Sequence, residues 1–307
     1  MSGNILVDIA DSLGMEVGML PLACARLVRE PNFNYRVLQG AERDGIIISI
    51  LEKIATDTQL VGAPERTEVW YKGWLESLEE FKLKGDPIAL RPKYVKPTHY
   101  MRYKRQFICT EDPYFEWYYL QLYTQCLFQM FLKPFEYVYE FGCGTGHNLL
   151  SLSRLFPDKS CTGFDFVASS CALVNLVAGT FGCNITGELF DMAAPDGNRV
   201  LEPNSAVFTI GAIEQLGGNI EPILQYLLSQ PISRCIHIEP IYEIYDKDNL
   251  ADYLAMQFHR KRGYTQGLLP RLRELEAWGD IEILKVKRSA FGNLFMEGYT
   301  CIIWERR

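Results

Sequence analysis

An apolar run that ends in an acid and then a glycine-rich turn is the feature that most constrains this chain. Residues 138–148 read VYEFGCGTGHN, with glycines at Gly142, Gly144 and Gly146 and an acid, Glu140, two residues before the first of them. Glycine allows positive φ and lets a ligand approach without a Cβ atom in between. A helix that begins after such a turn directs its free N–H groups toward that ligand. The segment therefore predicts a strand, a glycine turn and a helix that bind a nucleotide-like cofactor.

The spacing of the glycines argues against a dinucleotide site. Dinucleotide-binding folds use the pattern G-x-G-x-x-G, whose third glycine permits close packing of the helix on the strand. Counted from Gly142 and Gly144, that third position is His147 in this chain, and the third glycine is instead Gly146. A dinucleotide oxidoreductase is therefore a poor match to this segment.

The acid and the three glycines resemble motif I of the class I S-adenosylmethionine (SAM) methyltransferases, E/D-x-G-x-G-x-G. In that family the loop backbone contacts the methionine part of SAM, and the acid orients its ammonium group. The resemblance implies SAM as the cofactor and S-adenosylhomocysteine (SAH) as its product. It implies cofactor contacts at five residues of this segment: Glu140, Gly142, Gly144, Gly146 and Asn148.

Later segments match the family's other motifs in the expected order. Asp165 ends the next predicted strand about 20 residues after the glycine turn, where a ribose-binding acid belongs, and Phe166 beside it is expected to face the adenine. Asp191 and Met192 follow the third predicted strand and match the residues that contact the adenine amino group and ring. The cofactor contacts implied after these strands are Asp165, Phe166, Asp191, Met192, Ile210 and Gly211.

From residue 133 onward, apolar strand-like runs alternate with helix-like stretches, which is typical of a parallel sheet with helices on both faces. Alternating runs at residues 280–287 and 299–304 predict an antiparallel pair, and the resemblance implies that such a strand closes a sheet of seven. We therefore predict an α/β fold: a Rossmann-like, doubly wound, mostly parallel seven-stranded sheet with helices on both faces, plus an N-terminal helical region. The predicted domains are a mainly helical region over residues 1–132 and a SAM-binding methyltransferase domain over residues 133–307.

The N-terminal region carries apolar residues at helical spacing over residues 41–56 and 65–84, with Trp70 and Trp74 on one stripe. Such a stripe is typical of a helical cap that packs on the sheet domain. A substrate lid and a dimer interface are the alternatives, and a homodimer is therefore one of the arrangements considered.

A segment rich in proline, cations and tyrosine follows at residues 91–105. Its prolines interrupt helix and indicate a connecting loop. Tyrosines interleaved with cations can stack on a base or bind a phosphate or carboxylate. We therefore include Arg102 and Tyr103 as candidate substrate contacts, while a solvated loop is the alternative.

Methyl transfer from a sulfonium is an in-line displacement, and a base is needed only where the acceptor must lose a proton. Glu214 follows the fourth strand and resembles the glutamate of the E-H pair in small-molecule O-methyltransferases, although Gln215 stands in the histidine position. His237 lies within the fifth strand, and its ordinary titration range suits a base; a hydrogen-bonded core histidine is the alternative. The candidates are therefore Glu214 and His237 for catalysis, with Gln215 and Glu239 as further substrate contacts.

The chain has 307 residues, a formal net charge of −7 and a sequence pI near 5.3, which argues against nucleic acid or an anionic membrane as a partner. Its nine cysteines include no C-x-x-C pair, so we predict neither a disulfide framework nor a metal site. No window approaches the ~20 apolar residues of a membrane span, and the first residues lack a signal-peptide pattern. We therefore expect a cytoplasmic protein.

The residues after the fourth strand narrow the class of acceptor. Family members that act on adenine amines or glutamine amides carry an Asn/Asp-Pro-Pro-aromatic turn there, whereas residues 211–214 read GAIE. The predicted function is methyl transfer to an O or N atom of a small molecule, of natural-product or sugar type. A non-catalytic SAM-binding scaffold or partner subunit and an aminopropyl transferase on the same fold are the alternatives.

Overall fold

The computed structural model describes residues 5–26, 31–62 and 65–307. Within these ranges the helices are α1 (Ile5–Ser12), α2 (Leu22–Arg26), α3 (Gly40–Thr56), α4 (Glu65–Lys84), α5 (Phe115–Phe131), α6 (His147–Leu155), α7 (Ala168–Phe181), α8 (Glu221–Ser229), α9 (Leu250–Arg262) and α10 (Leu268–Trp278). None of these helices is long and apolar enough to cross a membrane. The strands are β1 (Tyr35–Val37), β2 (Tyr100–Tyr103), β3 (Gln106–Thr110), β4 (Tyr137–Phe141), β5 (Ser160–Asp165), β6 (Ile185–Leu189), β7 (Ala206–Ile210), β8 (Arg234–Glu239), β9 (Ile281–Lys287), β10 (Phe291–Gly292) and β11 (Thr300–Arg306).

The larger sheet has seven strands in the order β6, β5, β4, β7, β8, β11 and β9. The first five of these run parallel to one another, whereas β11 pairs antiparallel with both β8 and β9. The predicted mostly parallel seven-stranded sheet is therefore confirmed, including its antiparallel end. The chain order reverses between β4 and β7, and open α/β sheets bind ligands outside the carboxyl ends of the strands at such a point.

Helices cover both faces of this sheet because its central strands are apolar on both sides. All five residues of β7 are buried, which is typical of a parallel strand with helices above and below it. Phe208 belongs to one core, which also contains buried residues of α5, α6 and α7. Val207 points to the opposite core, together with buried residues of α8 and α10.

The described residues before 133 include three short strands in addition to helices, and these strands were not predicted. β2 and β3 form an antiparallel hairpin around Lys104 and Arg105, whose φ angles of 51° and 62° are those of a two-residue hairpin turn. The segment expected to be a connecting loop is therefore partly a hairpin. β1 joins β3, and β10 joins β2, so this small sheet unites segments from both predicted domains.

Candidate functional site

A cavity of about 260 Å³ opens at the carboxyl ends of the parallel strands, next to the point where the chain order reverses. It is formed where the turns after β4, β5, β6 and β7 meet the N-terminal half of α4. The predicted cofactor residues that line it are Glu140, Gly142, Gly144, Asn148, Asp165, Phe166, Asp191, Met192, Ile210 and Gly211.

Glu140 brings a buried carboxyl group to this cavity, with only 1% of its surface exposed. Its Oε1 accepts a hydrogen bond of 2.7 Å from Nδ2 of Asn148. Its Oε2 is buried and has no hydrogen-bond partner among the described residues. Burial, and to a smaller extent the nearby Asp165, raises the pKa of Glu140 well above its usual range. The free oxygen suits a cationic ligand group, which would stabilise the ionised carboxylate.

The N–H groups of the glycine turn donate hydrogen bonds to other residues of the protein. The N–H groups of Gly142 and Cys143 donate to the carbonyl of Phe164, at 2.8 and 3.0 Å. The N–H of Gly144 donates to Oδ2 of Asp165, at 2.9 Å. These bonds hold the end of β4 against the end of β5. The expected backbone donors of residues 142–144 are therefore already engaged.

Gly146 has a different role from the one predicted, because it does not line the cavity. Its φ is +74°, and a Cβ atom there would lie 2.8 Å from Cγ2 of Val174. The missing side chain therefore lets the start of α6 pack closely on α7. The predicted cofactor contact of Gly146 is corrected to this packing role.

Asp165 is buried at the end of β5, and its Oδ1 accepts a further hydrogen bond of 3.1 Å from the N–H of Val167. Burial raises the pKa of Asp165, while the bonds from Gly144 and Val167 oppose that shift. Phe166 and Met192 add apolar surface to the same part of the wall. This end of the cavity therefore combines an acid with apolar side chains, as a sugar and a flat ring require.

Helix α4 supplies a wall of the cavity through Arg66, Thr67, Trp70 and Trp74. The rings of Trp70 and Trp74 stack with centroids 5.5 Å apart. Atoms of the Trp74 ring lie 3.0 Å from the position that a Cβ atom of Gly144 would occupy. The aromatic stripe was visible in the sequence, but its spacing did not reveal that part of it faces the glycine turn.

His147, the first residue of α6, also lines the cavity and was not among the predicted site residues. Its Nδ1 lies 3.3 Å from Oγ1 of Thr145, whose hydroxyl donates to the carbonyl of Leu90 at 2.5 Å. Nδ1 therefore carries the proton, and Nε2 keeps its lone pair without a partner among the described residues. Burial lowers the pKa of His147 to about 4, so the ring is neutral at pH 7.

No protein-family model matches the chain, and no curated protein matches it. Among solved structures it is similar to the [4+2]-cyclase SpnF, with 14% sequence identity, a TM-score of 0.51 and coverage of 81% of this chain and 98% of that chain. It is also similar to magnesium protoporphyrin IX methyltransferase from Synechocystis PCC 6803 with bound SAH (11% identity, TM-score 0.41, 86% and 98% coverage). A third similar structure is N,N-8-amino-8-demethyl-D-riboflavin dimethyltransferase (RosA) from Streptomyces davawensis (13% identity, TM-score 0.42, 80% and 75% coverage).

The order of the seven strands identifies the fold. Antiparallel β11 lies between β8, the last of the five adjacent parallel strands, and the edge strand β9. The chain has the class I SAM-dependent methyltransferase fold. In this fold the cavity lies at the carboxyl ends of the strands, and the turn after β7 borders it through Ala212, Gln215 and Leu216.

His237 does not reach the cavity of this methyltransferase fold. It is fully buried within β8, where its Nδ1 lies 3.0 Å from Oγ1 of Thr209 and its Nε2 accepts a 3.0 Å hydrogen bond from Nε1 of Trp304. Burial lowers the pKa of His237 to about 4. The prediction of a catalytic base is therefore wrong, and His237 is a hydrogen-bonded core residue.

Glu239 likewise has a structural role, because its carboxyl group accepts hydrogen bonds from the backbone. Its Oε1 accepts the N–H groups of Ala212 and Ile213, each at 3.1 Å, and its Oε2 accepts the N–H of Glu214 at 3.3 Å. The carboxyl group thereby holds the short helical turn after β7 and does not line the cavity. The predicted substrate contact is corrected to this structural role.

Glu214 lies next to the cavity wall and is half-buried. Gln215, which lines the cavity, donates from Nε2 to Oε1 of Glu214 at 2.8 Å. Burial, together with the nearby Glu239, raises the pKa of Glu214 to about 8. The structure does not place Glu214 among the lining residues, so its catalytic role stays a prediction.

Arg102 and Tyr103 lie in the small sheet, away from the cavity lining. Both are buried, and Nη2 of Arg102 donates to the carbonyls of Ala251 and Leu294 at 2.9 and 3.2 Å. The hydroxyl of Tyr103 donates to Oδ2 of Asp8 at 2.5 Å. Their predicted substrate contacts are therefore wrong, because the hairpin directs both side chains into the interior.

Proposed function

We propose that this protein is a SAM-dependent methyltransferase that transfers a methyl group to an O or N atom of a small-molecule acceptor. The observation that carries the proposal is the unpartnered Oε2 of Glu140 beside the glycine turn. The ammonium group of SAM is a suitable donor for this oxygen, while Asn148 holds the other one. The presence of SAH in one of the similar structures is in line with this cofactor.

The remaining residues of the wall fit the other parts of SAM. Asp165 offers acceptor oxygens for the ribose hydroxyls, and Phe166 and Met192 offer apolar surface for the adenine. Asp191 lines the same cavity, and we assign it as an acceptor for the adenine amino group. When bound, SAM supplies an electrophilic methyl group on its sulfonium.

The chain's own contribution to the reaction is alignment. Holding an acceptor in line with the methyl group contributes on the order of 7–11 kcal/mol to lowering the barrier. The part of the wall formed by Arg66, Trp70 and Gln215 contains none of the predicted cofactor residues and is therefore available for the acceptor.

A non-catalytic SAM-binding protein is the second candidate. It is favoured by one observation: the predicted catalytic residue His237 and the predicted substrate contact Glu239 are both held inside the fold. Such a protein would bind SAM without forming SAH in the presence of small-molecule acceptors. Mass spectrometry of SAM turnover with a panel of phenols, amines and carboxylic acids distinguishes the two candidates.

Isothermal titration with SAM, SAH and NAD tests the proposal directly. We expect micromolar binding of SAM and SAH and none of NAD. Glu140→Gln should weaken SAM binding by at least about tenfold, because it removes the charge that faces the ammonium group. Glu136→Gln, just before the start of the same strand, is the matched control and should bind SAM normally. Wild-type protein that binds neither adenosyl ligand would overturn the proposal.

A further inference from the structure

Arg66 differs in charge from the carboxyl groups on the cavity wall. The acids that line the cavity are Glu140, Asp165 and Asp191, and Arg66 is the one arginine or lysine among the described lining residues. His147 is neutral at pH 7, since burial lowers its pKa to about 4. Arg66 is therefore the side chain of the described wall that offers a positive charge to a negatively charged ligand group.

The guanidinium of Arg66 has neutral partners only. Its Nη2 donates to Oε1 of Gln215 at 3.1 Å, and its Nη1 donates to Oε1 of Gln59 at 3.4 Å. It lies over the ring of Trp70, 5.2 Å from the centroid. Its Nε is buried and has no partner among the described residues. Arg66 opposes the rise in the pKa of the nearby Glu214, but burial dominates and raises that pKa to about 8, so this carboxyl group is mostly neutral at pH 7. Donors therefore remain for a planar anion, which guanidinium binds through two parallel hydrogen bonds.

Arg66 is also remote from the glycine turn. Both Arg66 and Trp74 belong to α4, and eight residues of helix separate them by about 12 Å at 1.5 Å per residue. Trp74 contacts the turn at Gly144, whereas Arg66 contacts Gln215 in the loop after β7. Arg66 therefore lies away from the glycine turn, next to Gln215.

We propose that Arg66 binds an anionic group of the methyl acceptor, so that the acceptor is a small molecule that carries a carboxylate or phosphate. This inference rests on the proposed function and names its class of substrate. None of the other side chains on the described part of the wall, which include carboxyl groups and a neutral histidine, offers an anion a positive charge. Arg66 consequently selects acceptors that carry a negative charge, and it also sets the orientation in which they bind.

The test uses protein saturated with SAH and two probes of the same shape, benzoate and its neutral amide, benzamide. Calorimetry should show benzoate binding at least about tenfold more tightly than benzamide to the wild-type protein. Arg66→Gln should reduce benzoate binding to the level of benzamide and leave the Kd of SAH unchanged. Lys72→Gln removes an exposed cation from the same helix and should change neither value.

Equal binding of benzoate and benzamide to the wild-type protein, or unchanged benzoate binding to Arg66→Gln, would overturn the inference. Tenfold weaker binding of SAH to Arg66→Gln would mean that Arg66 binds the carboxylate of the cofactor. That result would likewise overturn the inference about the acceptor. Failure of the wild-type protein to bind SAH at all would instead overturn the proposed function on which the inference rests.

Discussion

Nδ2 of Asn148 lies 2.7 Å from Oε1 of Glu140, and this bond fixes the buried carboxyl group in the orientation that leaves Oε2 without a partner. The bond links the first turn of α6 to the strand that precedes the glycine turn. Strand, turn and helix are therefore joined by a side-chain contact as well as by the backbone, and the free oxygen is a consequence of that contact.

Asn148→Ala should weaken SAM binding by about tenfold at pH 7, because the buried carboxylate loses its hydrogen bond and its ionised form becomes less stable. The loss should be smaller at pH 8.5, since ionisation of Glu140 is needed to pair with the ammonium group. Calorimetry at the two pH values measures the effect, with exposed Asn198→Ala as the control. An affinity that is unchanged at both values would remove Asn148 from the site.

The ligand-free protein should lose stability as the pH rises from about 6.5 to 8, which is above the range in which the buried, neutral His147 and His237 have the opposite effect. Burial raises the pKa of Glu116 and of Glu239 to about 7, and that of Glu214 to about 8. A carboxyl group whose pKa is higher in the folded state binds its proton more tightly when folded. Its contribution to the free energy of unfolding is therefore complete at pH values below its pKa in the unfolded state. That contribution is lost as the pH rises through its pKa in the folded state.

Thermal unfolding between pH 6.5 and pH 8 measures this dependence, and Glu116→Gln is the informative variant. The amide stays neutral and can still accept the hydrogen bond from the hydroxyl of Tyr299, which is 3.1 Å in the wild-type protein. The fall in Tm should therefore be shallower in Glu116→Gln than in the wild type. Exposed Glu76→Gln should keep the wild-type slope. A Tm that rises over this pH range would contradict the prediction.

Gly146→Ala should destabilise the fold by roughly 1–3 kcal/mol, since a side chain at this positive φ is strained and its Cβ would lie 2.8 Å from Cγ2 of Val174. Val174→Ala should recover part of the loss by making room. Urea unfolding measures both, and Gly179→Ala, where a Cβ meets nothing within 4 Å, serves as the control. Full stability of Gly146→Ala would show that the packing role is wrong.

The sheet and much of the cavity wall could be predicted because their signals are local. The acids Glu140 and Asp165 end apolar runs, and strand ends of a parallel sheet meet at one edge. The turn glycines needed no distant partner to be recognised. The separate roles of these glycines could not be predicted in the same way. Whether Gly144 or Gly146 lines the cavity depends on which helix packs against each of them, and that is a tertiary property.

The errors arise where the deciding partner is far away in the chain. The hairpin strand β2 pairs with β10, almost 190 residues later, so no local pattern at Arg102 indicated that its side chain would be buried. Arg66 was missed for a related reason. Its stripe of aromatic residues predicts an amphipathic helix, but not which surface that helix covers.

His237 shows the same limit and provides the last prediction. Its hydrogen-bond donor, Trp304, lies on antiparallel β11, 67 residues away, so the sequence left a base and a core residue as alternatives. His237→Phe should destabilise the protein by about 1–3 kcal/mol, because the N–H of Trp304 loses its buried acceptor. The same variant should bind SAM within twofold of the wild type, because His237 does not line the cavity.

A double-mutant cycle with Trp304→Phe separates this hydrogen bond from the change in shape. Since Trp304→Phe already removes the donor, adding His237→Phe should cost less than in the wild-type background, by 0.5 kcal/mol or more on the scale of about 0.5–3 kcal/mol seen for coupled residues. Urea unfolding gives the cycle, and calorimetry with SAM gives the site readout. Additive losses would mean that the 3.0 Å contact contributes nothing to stability. A weakened SAM affinity at full stability would return His237 to the functional site.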